Sequence, residues 1–150
     1  MNWDYIAGFM DGEGSIIKKP KRNGFRIMIP QTNEEVLEKI KQFVGSGFIY
    51  EVKKRKTHWK DSWMYAITSN KGVYNFLLKA GNKLIVKKKL ANKAVKIIKD
   101  LLKKEDERIN LRKHRIKKAK KMRGTGYTYR QIGKALKIDF GYARRIILLK

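Results

Sequence analysis

Apolar residues recur along this chain with two different periods, and the change of period predicts where helices give way to strands. Ile6, Phe9 and Met10 fall on one helical stripe, whereas residues 25–30 alternate as a half-buried strand does. The predicted elements are a helix at 4–13, strands at 15–19 and 25–30, a helix between 32 and 45, strands at 48–57 and 63–68, a helix between 70 and 81 and a longer helix at 83–103. This α-β-β-α-β-β-α-α order is typical of an α+β domain with one mostly antiparallel sheet.

Turn and cap signals stand at the ends of these elements. Asn23-Gly24 is a hairpin turn signal between the first two strands. Thr32 and Glu35 have the spacing of a capping box at the start of the second helix. Asn70 is the predicted cap of the third helix. Periodicity and local chemistry therefore agree on where the chain turns.

The sequence pattern of the last third of the chain predicts a separate helical module. Residues 109–123 are dense in Lys and Arg and are predicted to form a basic helix that ends in a glycine-containing break. Thr128 and Asp139 then cap two short helices, at 129–137 and 140–149, joined by a short turn. This pattern matches a helix-turn-helix, whose second helix enters the major groove of DNA.

We therefore expect two domains, residues 1–104 and the module at 105–150. The predicted DNA contacts of the module are made by four residues, with Arg130 and Arg144 directed to phosphates: Arg130, Tyr142, Arg144 and Arg145. An alternative is that the two short helices only pack on the first domain.

The net charge of the chain limits the classes of function that it can have. The 150 residues hold 38 Lys and Arg against 13 Asp and Glu, which leaves +25. Such a charge attracts polyanions. Nucleic acid is the first candidate partner, and an anionic membrane surface is the alternative. No apolar run approaches the length of a membrane span, and no basic targeting segment opens the chain, so an intracellular, soluble protein without a membrane partner is expected. The absence of cysteine excludes disulfides and thiolate zinc sites.

The distribution of charge points to chemistry as well as binding. Residues 1–17 contain three acids and no Lys or Arg, whereas residues 108–150 contain 15 basic residues and one acid. Metal-dependent phosphodiester cleavage needs such carboxylates, because divalent metal activates water and neutralises the leaving oxygen. Asp11 and Glu13 are the candidates, although an acid at a helix end is more often a cap or an ion-pair partner.

The segment Ile6–Gly14, IAGFMDGEG, resembles position for position the signature of the LAGLIDADG homing endonucleases. The order of elements is also similar, so the resemblance covers residues 4–103. Two further segments agree with the family: PQTN at residues 30–33, which opens the second helix, and VKKKLAN at residues 86–92, which precedes the last long helix.

The resemblance implies an αββαββα fold with a four-stranded, saddle-shaped antiparallel sheet, and a catalytic site. Glu13 would ligate Mg²⁺, or another divalent cation such as Mn²⁺, beside the Gly12 carbonyl. Gln31 and Lys87 would position water and stabilise charge at the scissile phosphate. The implied reaction is a staggered cut of double-stranded DNA by metal-activated water, without a covalent intermediate.

The chain has one copy of the signature, which in this family implies a homodimer that packs through the first helix and cuts a long, partly palindromic site. The implied interface consists of Ala7, Gly8, Asp11 and Gly12. The expected DNA face of the sheet carries four basic residues, with the strand parity after Glu51 left open: Lys19, Arg26, Lys53 and Arg55.

Other readings stay open. Glu51-Val52-Lys53 is similar to the acid-x-lysine element of restriction-type nucleases, provided that both side chains share a strand face. A protein with the same fold could bind without cutting, as a DNA-binding regulator or as a splicing helper that binds intron RNA. A basic ribosomal or chromatin protein would explain the net charge but not the acidic first 17 residues.

Overall fold

The computed structural model describes residues 1–20, 23–54 and 56–148. The first eight regular elements have the predicted order, and the α+β class is confirmed. The helices and strands are α1 (Trp3–Gly12), β1 (Ser15–Lys18), β2 (Phe25–Gln31), α2 (Glu34–Val44), β3 (Phe48–Glu51), β4 (Trp63–Ile67), α3 (Asn70–Ala80), α4 (Lys88–Gly124), α5 (Tyr129–Leu136) and α6 (Phe140–Leu148). The chain divides into two compact units, Met1–Leu102 and Lys103–Lys150.

The four strands form one antiparallel sheet in the order β1-β2-β4-β3, so that β1 and β3 are its edges. The register places Met28 of β2 opposite Ser15 on one side and Ala66 on the other. Ala66 in turn lies opposite Phe48 of β3. Alternate residues on each strand therefore point to opposite faces of the sheet.

The two faces of the sheet differ in what covers them. One face is packed against helices and holds the buried side chains of the core, which are contributed by Ile16, Phe25, Ile27, Ile29, Tyr65 and Ile67. Among the described residues, no side chain of the other face belongs to this core. We call it the open face, and its members on the four strands are Ser15, Ile17, Arg26, Met28, Pro30, Phe48, Tyr50, Met64 and Ala66.

Helices α1 to α4 supply the remainder of this core. α1 buries Ile6 and Met10 completely. α4 contributes Ile98 and the small residues Ala91 and Ala94. Gly14 allows the tight passage from α1 into β1, because a Cβ at this position would lie 2.9 Å from the Met10 carbonyl oxygen. A side chain there would displace the strand from the helix that carries the acidic residues.

Three local expectations are wrong. α2 is capped by Asn33, whose side chain accepts a hydrogen bond from the Val36 N–H, and not by Thr32. α3 is capped by Ser69 rather than by Asn70. β3 ends at Glu51, well before the predicted residue 57. At each cap two neighbouring residues have suitable side chains, and the backbone direction selects one of them.

The bounds predicted for the longer helix, residues 83–103, are also wrong at both ends. α4 begins at Lys88 and continues to Gly124, so it includes the segment in which a separate basic helix was expected. No glycine or proline lies between those two residues, and Lys, Glu and Arg are good helix formers. Nothing in the local sequence therefore ends the helix at residue 103.

The second unit confirms the predicted pair of short helices. Thr128 and Gln131 form a reciprocal capping box at the start of α5. The Asp139 side chain accepts hydrogen bonds from the first N–H groups of α6. Gly133 is required by the turn between them, since a Cβ there would lie 2.9 Å from the Ile138 carbonyl oxygen. The buried residues of this small core are Ala119, Ile132, Ala143 and Ile146.

Candidate active site and DNA-binding surface

α1 ends at the residue expected to carry the chemistry. Glu13 is its C-cap, with the backbone N–H donating to the Phe9 carbonyl. The Glu13 side chain is exposed, and its carboxylate makes no hydrogen bond or ion pair with the residues that the structure describes. The carboxylate is therefore free to accept a ligand from solution.

Asp11, two residues earlier, is fully engaged within the chain. Its carboxylate accepts hydrogen bonds from the backbone N–H groups of Ile85 at 2.6 Å, Val86 at 3.2 Å and Lys87 at 3.0 Å. Partial burial raises the pKa of Asp11, but these three N–H groups and the nearby Lys87 ammonium outweigh it and hold the pKa below its ordinary value. Asp11 thus joins the end of α1 to the segment that precedes α4.

Lys87 lies at the same junction. Its ammonium group donates a hydrogen bond to the Asp11 backbone carbonyl, and its side chain is half-buried. The structure thus brings Lys87 to the end of α1, within two residues of Glu13. A carboxylate and an ammonium group are held there by the same pair of segments.

Gln31, the last residue of β2, lies at the same end of the sheet as Glu13. Ser15 pairs with Met28, so Glu13 precedes that pair and Gln31 follows it on the neighbouring strand. The Gln31 side-chain oxygen accepts a hydrogen bond from the Thr32 N–H at 2.8 Å. Among the described residues, its amide NH₂ group has no hydrogen-bond partner.

One side of α1 is open. Gly8 and Gly12 are exposed, and a Cβ added to either would meet nothing within 4 Å. Tyr5 on this side is 48% exposed and stacks on Phe9 with ring centroids 5.9 Å apart. Ala7 faces the opposite way and is 1% exposed, so its methyl group packs inside its own chain.

The four basic residues expected on the DNA face of the sheet lie in different surroundings. Arg26 lies on the open face, and its Nε has no hydrogen-bond partner among the described residues. Lys19 follows β1 and donates to the Asn70 side chain at 3.2 Å. Lys53 is exposed beyond the end of β3. Arg55 lies outside the described residues.

The residues predicted to contact DNA from the helix-turn-helix are mostly exposed. Arg130, Arg144 and Arg145 are exposed, whereas Tyr142 is half-buried against the small core. The guanidinium group of Arg145 lies 5.6 Å from the Tyr142 ring centroid. Three cationic side chains thus remain accessible in the second unit.

The sequence reasoning missed the apolar members of the open face. Phe48 and Tyr50 on β3 are 48% and 41% exposed. Met64 on β4 and Met28 on β2 lie on the same face of the sheet. The signal was present in the alternation of residues 25–30, where Arg26, Met28 and Pro30 fall on the side away from the core.

Two other sequence-based expectations can be compared with the structure. β3 ends at Glu51, so Lys53 is not on that strand, and the shared face required for a restriction-type acid-x-lysine element is missing. Within residues 1–20, 23–54 and 56–148, no three acidic or histidine side chains cluster as metal ligands. In the same ranges, no helix combines the length and apolar character needed to cross a membrane.

Comparison with known proteins agrees with this geometry. The model of the LAGLIDADG endonuclease family matches residues 6–99. No sequence among curated proteins matches the chain. Among solved structures, the archaeal intron-encoded homing endonuclease I-Vdi141I, complexed with DNA, is 26% identical with a TM-score of 0.57 over 97% of this chain and 93% of that one.

A second solved structure is the homing endonuclease I-CvuI in complex with a DNA target in the presence of magnesium. It is 20% identical, with a TM-score of 0.51, and the match covers 65% of each chain. This likeness shows the fold alone. The family match includes most of α1, its C-cap Glu13 and the whole sheet. It also includes Lys87, which directly precedes α4. The chain therefore belongs to the LAGLIDADG family of DNA endonucleases.

Proposed function

We propose that this protein is a site-specific homing endonuclease that acts as a homodimer and makes a metal-dependent, staggered double-strand cut in a long, partly palindromic DNA site. The observation that carries the proposal is the carboxylate of Glu13, which is exposed and has no partner among the described residues. It lies near Lys87, at the end of a helix with one open side. Binding alone requires none of these features.

The donor atoms present at the end of α1 fit a hard divalent cation such as Mg²⁺ or Mn²⁺. Glu13 offers a carboxylate, and the Gly12 carbonyl lies in the last turn, where helix carbonyls lack intrahelical partners. Asp11 is not a candidate ligand, because three N–H groups already occupy its carboxylate. When bound, the ion supplies Lewis-acid stabilisation of charge on the scissile phosphate.

The other site residues position the reacting groups. Lys87 places positive charge beside the cleavage position, where the phosphate becomes more negative in the transition state. Gln31 lies at the same end of the sheet, and its amide NH₂ group can orient the attacking water. Asp11 fixes the backbone that carries Lys87.

Two copies of the chain are needed for a double-strand cut, since each contributes one Glu13. Gly8 and Gly12 allow a second α1 to approach closely, and a two-fold axis at this contact would place two Glu13 carboxylates side by side. A symmetric dimer reads a partly palindromic site. The helix-turn-helix adds phosphate contacts on the flanking DNA, through Arg130 and Arg144.

The experiment incubates the protein with a randomised double-stranded DNA library and magnesium, and sequences the cut ends. Glu13→Gln, which keeps the size of the side chain without its charge, is the matched control. Recurrent staggered ends at a partly palindromic site, absent with Glu13→Gln, would support the proposal. Enrichment of a sequence by binding without any cutting would favour a DNA-binding regulator, and preferential capture of intron RNA would favour a splicing helper.

A further inference from the structure

The open face of the sheet has an apolar centre, which is unusual for a surface expected to contact a polyanion. Of its nine members on the strands, only Arg26 is charged. Phe48 and Tyr50 lie side by side, with ring centroids 5.8 Å apart and planes inclined by 31°. They border a shallow depression lined by Arg26, Met28, Phe48, Tyr50, Ala66 and Thr68.

Basic residues stand at the edges of the sheet. Lys19 directly follows the edge strand β1 and continues the alternation of Ser15 and Ile17. Lys53 is exposed beyond the end of the other edge strand, β3. DNA phosphates are complementary to such a rim, since Lys and Arg side chains contact phosphates and set the position of the protein. The apolar centre is then left to face the base edges.

Only one base presents an apolar group in the major groove of DNA, namely thymine with its 5-methyl group. Phosphates and the other base edges offer charge or hydrogen-bonding groups, and apolar side chains would desolvate these without replacing the lost hydrogen bonds. Methionine and aromatic side chains gain by burying a methyl group instead.

We propose that Met28, Phe48, Tyr50 and Met64 on the open face read thymines in each half-site through contact with their 5-methyl groups. This inference rests on the proposed function, because it requires the open face to lie in the major groove. It specifies what that face recognises: a half-site with thymines opposite the centre of the sheet, between phosphates held by the basic edges.

Deoxyuridine tests the inference without changing the protein, because it differs from thymidine only in lacking the methyl group. The target selected from the random library is synthesised with deoxyuridine at one thymidine position at a time. Affinity is measured by fluorescence anisotropy with Glu13→Gln, so that cutting does not interfere. At contacted positions we expect about fourfold weaker binding, the loss that corresponds to one methyl group removed from apolar contact.

A variant of the protein links the effect to the open face. With Met64→Gln, thymidine and deoxyuridine should bind equally at one position and still differ at the others. The matched control, Leu78→Gln, also replaces an exposed apolar residue, on α3, and should leave all preferences unchanged.

The possible failures can be told apart. Sequence-specific binding that is unaffected by deoxyuridine at every position would overturn the methyl readout and leave the endonuclease proposal standing. Absence of any DNA binding would overturn both. Loss of self-association in Met64→Gln, with deoxyuridine again without effect, would identify the open face as a protein contact and overturn the inference.

Discussion

Asp11 and Lys87 hold each other through two reciprocal hydrogen bonds. The Asp11 carboxylate accepts from the Lys87 backbone N–H at 3.0 Å, and the Lys87 ammonium group donates to the Asp11 carbonyl. This pair fixes a cationic side chain beside the helix end that carries Glu13. Of the two acids in the family signature, Asp11 is therefore engaged in the structure of the chain, whereas Glu13 is exposed and is the proposed metal ligand.

We predict that Asp11→Asn destabilises the protein by roughly 1 kcal/mol, the usual net contribution of a hydrogen-bonded group. Denaturant unfolding of the two proteins at neutral pH measures the difference. It should be accompanied by slower cleavage, because Lys87 is then held less firmly. Unchanged stability would show that the three N–H groups find equivalent partners in the variant.

The same pair predicts a dependence on pH. The pKa of Asp11 is lowered in the folded state, so its contribution to stability is complete above the ordinary value of 3.8 and is lost as pH falls through the folded value. The stability difference between the native chain and Asp11→Asn should therefore be constant near neutrality and shrink below that value. A difference that grows on acidification would contradict the cause assigned to the shift.

Gly8→Leu should separate folding from dimerisation. A side chain at this position meets nothing within 4 Å in the single chain, and leucine favours a helix over glycine by roughly 1 kcal/mol. We expect a folded monomer that no longer cuts both strands, as measured by sedimentation and plasmid cleavage. Asn75→Leu, which adds a leucine to an exposed position of α3, is the control and should remain dimeric. A dimeric Gly8→Leu would place the interface elsewhere.

Neutralising the helix-turn-helix arginines should reduce the salt dependence of DNA binding. Each phosphate contact that is lost lowers the slope of log K against log salt by about 0.9. We expect this from Arg130→Gln with Arg144→Gln, at unchanged sequence preference. The matched variant Lys71→Gln with Lys79→Gln removes the same charge from α3, which packs on the covered face, and should change the slope less. Equal slopes for the two variants would indicate a nonspecific effect of net charge.

Much of the fold could be predicted from the sequence because the signals are local. The apolar spacing of α1, the turn at Gly24 and the caps Thr128 and Asp139 each act within a few residues. The same holds for Glu13, whose proposed role was inferred from a contiguous signature. In such cases the residues that decide the structure are neighbours along the chain.

Features that depend on distant contacts could not be predicted in this way. Asp11 bonds to backbone groups 74 to 76 positions later, a contact that no local pattern encodes. Asn70, predicted as a helix cap, instead accepts a hydrogen bond from Lys19 across the fold. The apolar centre of the open face also depends on distant contacts, because strand pairing determines which side chains lie there.

We propose that the Glu13 carboxylate is required for cleavage of DNA and is not required for binding of DNA. The most direct test measures cleavage of the selected site by the native chain and by Glu13→Gln in magnesium. The affinity of both proteins for the same site is measured without magnesium, so that cutting does not interfere. We predict that the native chain cuts both strands to give staggered ends and that Glu13→Gln binds with unchanged affinity but does not cut. Cleavage by Glu13→Gln at the native rate would contradict the account.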